Sequence, residues 1–232
     1  MIYITGDMHG DERIGEIEFF IVSHPDATYL IILGDFGAIW NEETSLIERL
    51  SALPTIILFI DGNHENFDLL NAYPREEWNG GYVHHIANNI LHLMRGNIYE
   101  IENRTFFVFG GAVSADKNLR KEGVSWWPQE EATECELNYA QSVLQGVKKV
   151  DYVLTHCGNM EAVQKMHLNT GNIKLKVCWQ SIKISTLLRY ITYSIWFCGH
   201  YHLDCRIGKY IFLYKTFYRL KEENTSDERQ SL

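Results

Sequence analysis

The chain has 232 residues, of which 46% are hydrophobic and 22% are charged, a balance typical of a soluble globular protein rather than a fibrous or disordered one. Its formal net charge of −9 argues against broad binding to nucleic acid or to an anionic membrane surface, because both require a basic footprint. Apolar runs such as "YLIILG" and "TIILFI" are too short to span a bilayer, so we expect no membrane association.

Strand and helix patterns alternate at the start of the chain. The segments "MIYIT", "TYLIILGD" and "PTIILFIDGNHE" predict three short strands. Between them, isoleucines recur at helical spacing over 13–23, and acids lead an apolar pattern over 41–53, so both ranges predict helices. Buried strands that alternate with helices are typical of a parallel α/β sheet.

The middle of the chain has a different pattern. The segments "ILHLM", "IYEI" and "TFFVFGG" follow one another with short breaks, which predicts an antiparallel meander. A helix is predicted over 128–147 because Pro128 suits its first turn. Four acids near its start predict a solvated face: Glu130, Glu131, Glu134 and Glu136.

The last third of the chain returns to strand patterns at "DYVLTH", "SIWFCGHYH" and "KYIFLYK", with a helix near 180–192. We find no internal repeat and no linker, so residues 1–220 are predicted to form a single domain. Residues 221–232 are polar and predict a frayed tail. The odd number of cysteines, the lack of C-x-x-C and the lack of a signal peptide favour free thiols and a cytoplasmic location.

Polar side chains follow five of the predicted strands at the points where the strands end. Asp7 and His9 lie two residues apart, so on extended backbone they point to the same side. The other strand ends carry Asp35, then Asn63 with His64, then His156, then His200 with His202. In open α/β sheets, sites gather outside the carboxyl ends of strands, and we expect these side chains to converge there. Adjacent glycines allow the sharp turns and the close backbone approach that such a site requires.

This set of side chains predicts a metal site. Its ligands are oxygen and nitrogen atoms without a cysteine, which suits Mn, Fe, Zn or a mixed pair. A central carboxylate such as Asp35 can bridge two ions, and two-metal hydrolases hold their ions roughly 3.5–4 Å apart.

The order of the motifs carries a family resemblance. D-x-H, G-D, G-N-H-[DE], T-H and G-H-x-H occur in this order from Asp7 to His202 and resemble the calcineurin-like metallophosphoesterase superfamily. The stretches "GNHENFDLLNAYPREEWNGG" and "FGGAVSADKNLRKEGVSWWPQE" look like a bacterial and phage branch of that superfamily. The resemblance implies an α/β fold, a four-layer αββα sandwich in which two mixed β-sheets pack face to face with helices outside.

The resemblance also implies roles for the site residues. One metal ion would be held by Asp7, His9 and His202, and the other by Asn63, His156 and His200, with Asp35 between them. His64 would act at the substrate, where it would protonate the leaving group or stabilise the transition state, and a metal-bridging hydroxide would be the nucleophile. Two divalent ions would make the site locally cationic within an acidic protein, so a phosphate should find it.

The chain departs from the family pattern after the second strand. Many relatives carry G-D-x-x-D-R there, in which the Asp orients the catalytic His and the Arg binds phosphate, but this chain has Ala38 and Ile39 at those places. Glu65 could replace the missing Asp only if its side chain lay on the same side of the backbone as that of His64. Adjacent residues on extended backbone point to opposite sides, which argues against this role. Arg120 lies in a polar segment after a strand, and its guanidinium suits phosphate, so we consider it as a replacement contact against the alternative of a solvated surface arginine.

These residues predict a two-metal hydrolase of phosphate monoesters or diesters, acting on a small phosphorylated substrate, a nucleotide or a phosphoprotein. The acidic balance disfavours long nucleic acid. Two alternatives remain from the sequence: a metal-binding scaffold with weak turnover, and a nuclease acting on nucleic-acid ends. The physiological substrate and the oligomeric state do not follow from the sequence.

Overall fold

The strands of the chain belong to two mixed β-sheets. A computed structural model describes residues 1–171 and 177–221, so the predicted tail lies, apart from Lys221, outside the described residues. In chain order the strands are β1 Ile2–Thr5, β2 Tyr29–Ile32, β3 Ile56–Phe59, β4 Arg75–Trp78, β5 Gly81–Ala87, β6 Ile90–Leu93, β7 Ile98–Ile101, β8 Arg104–Phe109, β9 Tyr152–Thr155, β10 Ile195–Cys198, β11 Cys205–Ile207, β12 Tyr210–Phe212 and β13 Tyr218–Arg219. The helices are α1 Ile14–Ser23, α2 Ser45–Ser51, α3 Phe67–Leu70, α4 Glu134–Val143, α5 Met160–Thr170 and α6 Trp179–Leu187.

Each sheet has a parallel centre with antiparallel edges. The first sheet has the order β13-β1-β2-β3-β6-β5-β4, in which β1, β2, β3 and β6 are parallel. The second has the order β11-β12-β10-β9-β8-β7, in which β12, β10, β9 and β8 are parallel. The edge pairs are antiparallel in both.

Three apolar layers separate the four layers of secondary structure. Side chains alternate across β1, so Ile2 and Ile4 lie in the layer between the two sheets, whereas Tyr3 packs against Phe20 of α1. The outer face of the second sheet is covered by α4, α5 and α6, as buried Ile184 illustrates. This arrangement is the αββα sandwich that the resemblance implied. No helix within the described ranges is both long enough and apolar enough to cross a membrane.

The predicted meander is wrong, because the chain crosses between the sheets in the middle of it. β6 lies inside the first sheet, parallel to β3, whereas β7 and β8 form a hairpin in the second sheet. A second hairpin, β4 with β5, was not predicted. Its turn has Asn79 and Gly80 at positive φ, which is the local conformation that an Asn-Gly pair favours between two strands.

The predicted helix over 128–147 begins later than the sequence indicated. Pro128 begins a separate 3₁₀ turn that ends at Glu130, and α4 begins after Thr133. The Thr133 hydroxyl accepts from the Glu136 backbone N, and the Glu136 carboxylate accepts from the Thr133 backbone N, which caps the helix. The prediction of a solvated acidic face is wrong for Glu130, which is completely buried beside Arg120.

A buried ion pair holds the segment where the chain crosses between the sheets. Arg95 Nε donates to Asp61 Oδ2 at 2.7 Å, and Arg95 also donates to the carbonyl oxygens of Gln129 and Glu131. Burial alone would raise the pKa of Asp61, but the Arg95 guanidinium, together with His92, holds it well below its usual range. The pair therefore connects the end of β3 to the loop before α4.

We expect Arg95→Met to lower the free energy of unfolding by about 3–5 kcal/mol, because it leaves the Asp61 carboxylate buried without its cation. Arg49→Met removes the exposed pair with Glu18 and should cost less than about 1 kcal/mol. Urea unfolding of both variants measures the difference. The pKa of Asp61 is lower in the folded protein than in the unfolded chain, so the stabilisation by this pair is fully present above the unfolded pKa of about 3.9. It is lost as the pH falls below that value toward the folded pKa, so the destabilisation by Arg95→Met should become smaller there. Equal effects of the two substitutions would contradict the role of the buried pair.

Candidate metal centre

Register within the two sheets brings five strand ends to one place. Thr5, Ile32 and Phe59 lie side by side because β1, β2 and β3 are parallel and in register. Thr155 and Cys198 are paired in the same way at the ends of β9 and β10. Each predicted ligand follows one of these five positions within four residues: Asp7, His9, Asp35, Asn63, His156, His200 and His202.

The first group of candidate ligands is formed by Asp7, His9 and His202, whose ligand atoms lie within 4.8 Å of one another. Nε2 of His9 lies 3.0 Å from Nε2 of His202, and Asp7 Oδ2 lies 3.1 Å from the latter atom. Asp7 is fully buried and His202 is about half exposed, so the group reaches solvent on the His202 side. The neighbouring Asp7 carboxylate raises the pKa of His202.

The second group is formed by Asp7, Asp35 and His156, all of them buried. His156 Nε2 lies 3.3 Å from Asp35 Oδ1 and 3.1 Å from Asn63 Oδ1. Asp35 Oδ2 faces the first group and lies 3.7 Å from His9 Nε2. The two carboxylates therefore lie between the two groups, where ligands shared by two ions would lie.

His200 lies beside the second group. Its ring centroid is 5.0 Å from that of His156 in an edge-to-face arrangement, and its backbone N donates to Asp7 Oδ1 at 2.8 Å. Burial and the neighbouring His156 lower the pKa of His200 to about 4. Its imidazole is therefore neutral at pH 7, which is the form that binds a metal ion.

His156 and Asp35 form a buried pair of opposite charges in the absence of a cation. Burial alone would lower the pKa of His156, but the Asp35 carboxylate raises it to about 10. Burial would likewise raise the pKa of Asp35, but His156 holds it below its usual range. Binding of a metal ion to His156 would release its proton, as ligation of an imidazole requires.

The donor set fits a divalent cation. Asp7 Oδ2 is a buried carboxylate oxygen that makes no well-oriented hydrogen bond to the described residues, and the imidazole nitrogens of two other candidate ligands lie near it, His202 Nε2 at 3.1 Å and His9 Nε2 at 3.8 Å. A buried carboxylate oxygen is costly unless a cation compensates it, and a metal ion among these three side chains would do so. Carboxylate, amide and imidazole donors without a thiolate suit Mn, Fe or Zn.

Backbone strain is concentrated at the same place. Seven non-glycine residues of the described chain have positive φ, and four of them are predicted site residues: His9, Asp35, His200 and His202. Such conformations cost of order 1–3 kcal/mol each and persist where the surrounding structure imposes them. Here the loops bind each other, since the backbone N of His9 donates to the Asp35 carbonyl at 2.7 Å.

Two glycines allow the backbone to approach the carboxylates. A Cβ on Gly62 would collide with the carboxylate of Asp35, and a Cβ on Gly199 would collide with that of Asp7. The close approach that the sequence predicted for the glycines beside the ligands is confirmed at both positions.

His64 lies at the edge of the centre, next to Arg120. Its backbone N donates to Asp35 Oδ1 at 2.8 Å, and its ring centroid is 5.7 Å from that of His9. Arg120 Nη2 lies 3.3 Å from His64 Nδ1 and 3.3 Å from Glu130 Oε1.

Burial, together with the positive charge of Arg120, lowers the pKa of His64. Burial also raises the pKa of Glu130 to about 7, although Ser114 and Arg120 lower it.

Glu65 contacts the loops of the centre rather than the ring of His64. Its Oε1 accepts from the backbone N of Phe36 at 2.7 Å and of Gly62 at 3.3 Å, and its Oε2 accepts from Gly37 N at 3.1 Å. Glu65 therefore joins the loop after β2 to the loop after β3. The sequence indicated only that it points away from His64; its partners follow from the tertiary structure.

Arg13 is a supporting residue that the sequence did not identify. Its buried guanidinium donates to the carbonyl oxygens of Asp7 at 2.6 Å and of Tyr214 at 2.5 Å. The Tyr214 ring in turn stacks on His202 with centroids 4.4 Å apart. Arg13 thus connects the loop after β1 and the loop after β12 to the first group, but in the sequence it had the pattern of an ordinary residue at the start of a helix.

The family model for calcineurin-like phosphoesterases matches residues 1–204. No curated protein sequence matches the chain significantly. One solved crystal structure is similar to the fold with a TM-score of 0.52 at 10% identity, over 91% of this chain and 88% of that chain. The protein TT1561 of Thermus thermophilus has a TM-score of 0.44 at 14% identity, over 85% of this chain and 80% of its own. A candidate 5′-nucleotidase from Staphylococcus aureus, solved with α-ketoglutarate, has a TM-score of 0.48 at 16% identity, and the match covers 92% of this chain but 48% of that one.

The fold and the family match together define a metal-dependent phosphoester hydrolase. The match covers most of the chain, and the chain belongs to the calcineurin-like phosphoesterase family.

Proposed function

We propose that the protein hydrolyses small phosphate esters with two divalent ions held by the seven predicted ligands. The observation that carries this proposal is the pair of ligand groups that share the buried Asp7, with Asp35 Oδ2 of the second group 3.7 Å from His9 Nε2 of the first. When bound, two such ions supply Lewis acidity to the phosphate and lower the pKa of a water molecule.

The chain's own residues then have two tasks. Asp35 accepts from the backbone N of His64 and so holds this residue beside the ligand groups. The His64 ring lines a cleft of about 450 Å³ together with His9 and Trp40, where it can donate a hydrogen bond to the departing oxygen. Arg120 remains our candidate for a phosphate contact, because its guanidinium reaches the His64 ring.

The cleft favours a small substrate. Its volume is in the range of sites for small molecules. Three acids also line it, Asp11, Glu12 and Glu43, and their charge repels a long polyanion. This arrangement supports a nucleotide or another small phosphorylated molecule rather than long nucleic acid.

We expect the manganese-loaded protein to hydrolyse p-nitrophenyl phosphate, its bis ester, or both. Removal of the metal with a chelator should lower the rate by more than about 100-fold, because the residues that remain supply no comparable Lewis acid. The ratio of the two rates separates a monoesterase from a diesterase, and a nucleotide panel extends the test. Failure on all these substrates with Mn, Fe and Zn would overturn the proposal and favour a metal-binding scaffold.

A further inference from the structure

One buried hydroxyl connects three groups behind the metal centre. Ser114 Oγ donates to Glu130 Oε2, and it accepts from Arg120 Nη1 at 2.9 Å and from Asn63 Nδ2 at 2.9 Å. A hydroxyl has one proton and two lone pairs, so these bonds use its full capacity. Because the ionised Glu130 carboxylate takes the only proton, Ser114 can only accept from Asn63.

This direction sets the orientation of the Asn63 amide. The amide presents its N–H to Ser114, so its oxygen must lie on the other side, where Oδ1 is 3.1 Å from His156 Nε2. The oxygen therefore faces the ligand groups. A reversed amide would present hydrogen atoms to a cation and could not bind it.

The network has two arms. The first, described above, runs from Glu130 through Ser114 to Asn63, and the second runs from Glu130 through Arg120 to His64. An arginine N–H can only donate, so the contact of Arg120 Nη2 with Nδ1 of His64 requires Nδ1 to accept. In the neutral ring the proton then lies on Nε2, the nitrogen on the opposite edge. A carboxylate at the position of Arg120 would select the other tautomer, because it would accept from Nδ1–H.

Glu130 is the group that holds both arms. It is completely buried, its Oε1 lies 3.3 Å from Arg120 Nη2, and the backbone N of Trp127 donates to it at 3.4 Å. The two oxygens thus hold Arg120 and orient the Ser114 hydroxyl, and no alternative acceptor for the Ser114 proton is present among the described contacts.

We infer that Glu130 is a positioning residue which turns the Asn63 oxygen toward the metal site through Ser114 and fixes the Nε2–H tautomer of His64 through Arg120. It contacts no reacting atom. The use of His64 at the substrate rests on the proposed function, whereas the tautomer and the amide orientation do not.

The test uses the zinc-loaded protein with ¹⁵N-labelled histidine at about pH 8, above the pKa of Glu130. The NMR signals of His64 are assigned by their loss in His64→Gln. We expect Nε2 to be protonated and Nδ1 to be unprotonated in the wild type. A protonated Nδ1 in the wild type would overturn the inference without any variant.

Glu130→Gln should mix the two tautomers of His64 and weaken zinc binding, measured by chelator competition, by about 10–100-fold, as is usual when a supporting group of a metal site is removed. Glu131→Gln is the matched control, because the neighbouring Glu131 binds Lys117 and Trp179 instead. It should change neither quantity. Unchanged tautomer and zinc affinity in Glu130→Gln would also overturn the inference.

Two further variants separate the arms and replace Glu130→Gln if that variant does not fold. Arg120→Met should mix the tautomers with little effect on zinc affinity, and Ser114→Ala should weaken zinc binding through Asn63. The reverse pattern would contradict the two-arm arrangement. A wild type with the expected tautomer but without phosphoesterase activity would refute the proposed function and leave this inference standing.

Discussion

Asp35→Asn is expected to lose bound metal and activity together. The two oxygens of Asp35 face different ligand groups, 3.3 Å from His156 Nε2 and 3.7 Å from His9 Nε2. An asparagine is neutral and replaces one of these oxygens with a hydrogen-bond donor. Removal of supporting groups around metal sites already costs about 10–100-fold, so loss of a central carboxylate should lower the rate by more than about 100-fold.

The measurement is metal content per chain beside turnover of p-nitrophenyl phosphate. Asp26→Asn serves as the control. Asp26 lies in the loop before β2, whereas Asp35 lies after that strand, so the two residues are at opposite ends of β2. Among the described contacts, Asp26 accepts only from the Tyr3 hydroxyl. The Asp26→Asn variant should retain the wild-type metal content and the wild-type turnover. Full occupancy by two metal ions in Asp35→Asn would contradict a shared role for this carboxylate.

His64→Ala is expected to lose most turnover while the metal content stays at the wild-type level. The ring belongs to neither ligand group, but it lines the cleft beside His9. A positioned acid or hydrogen-bond donor typically contributes about 10²–10⁴-fold to a reaction of this kind. The loss should therefore fall in that range and should appear in kcat, because the interaction develops as the leaving oxygen departs.

His85→Ala is the matched control for this substitution. His85 lies in β5 and pairs with Glu76 near the edge of the first sheet, away from the ligand groups. It should leave the rate unchanged. An undiminished rate in His64→Ala would remove this residue from the mechanism, and loss of metal would place it among the ligands.

The centre combines local strain with long-range support. His9 and Asp35 occupy left-handed backbone conformations. The surrounding loops are fixed by hydrogen bonds to two buried side chains, since Glu65 accepts from the backbone N of Phe36 and Arg13 donates to the carbonyl oxygen of Asp7. Since supporting residues fix the loops before any ion binds, the ligands are already close together in the chain as folded. This pre-organisation lowers the entropic cost of binding the ions.

Local patterns in the sequence were sufficient to predict the strands of the parallel core and the polar positions after them. Strand periodicity and strand ends depend on neighbouring residues, so β1, β2 and β3 could be predicted, and parallel register then requires their ends to meet. The convergence of Asp7 and His9 was predicted as well, but the extended backbone assumed for it is not what the structure has, because His9 lies beyond β1 at a left-handed φ of 53°. The sandwich followed from the family resemblance that these motifs carried.

Only the tertiary structure decided which strands share a sheet and what surrounds the ligands. β6 and β7 are close in sequence, but they lie in different sheets because the Arg95 segment is bound to Asp61 and crosses between them. Ser114 reaches Asn63 over 51 residues, and Arg120 reaches His64 over 56. No local pattern encodes such contacts, because they depend on how the loops of both sheets pack around one buried carboxylate, that of Glu130.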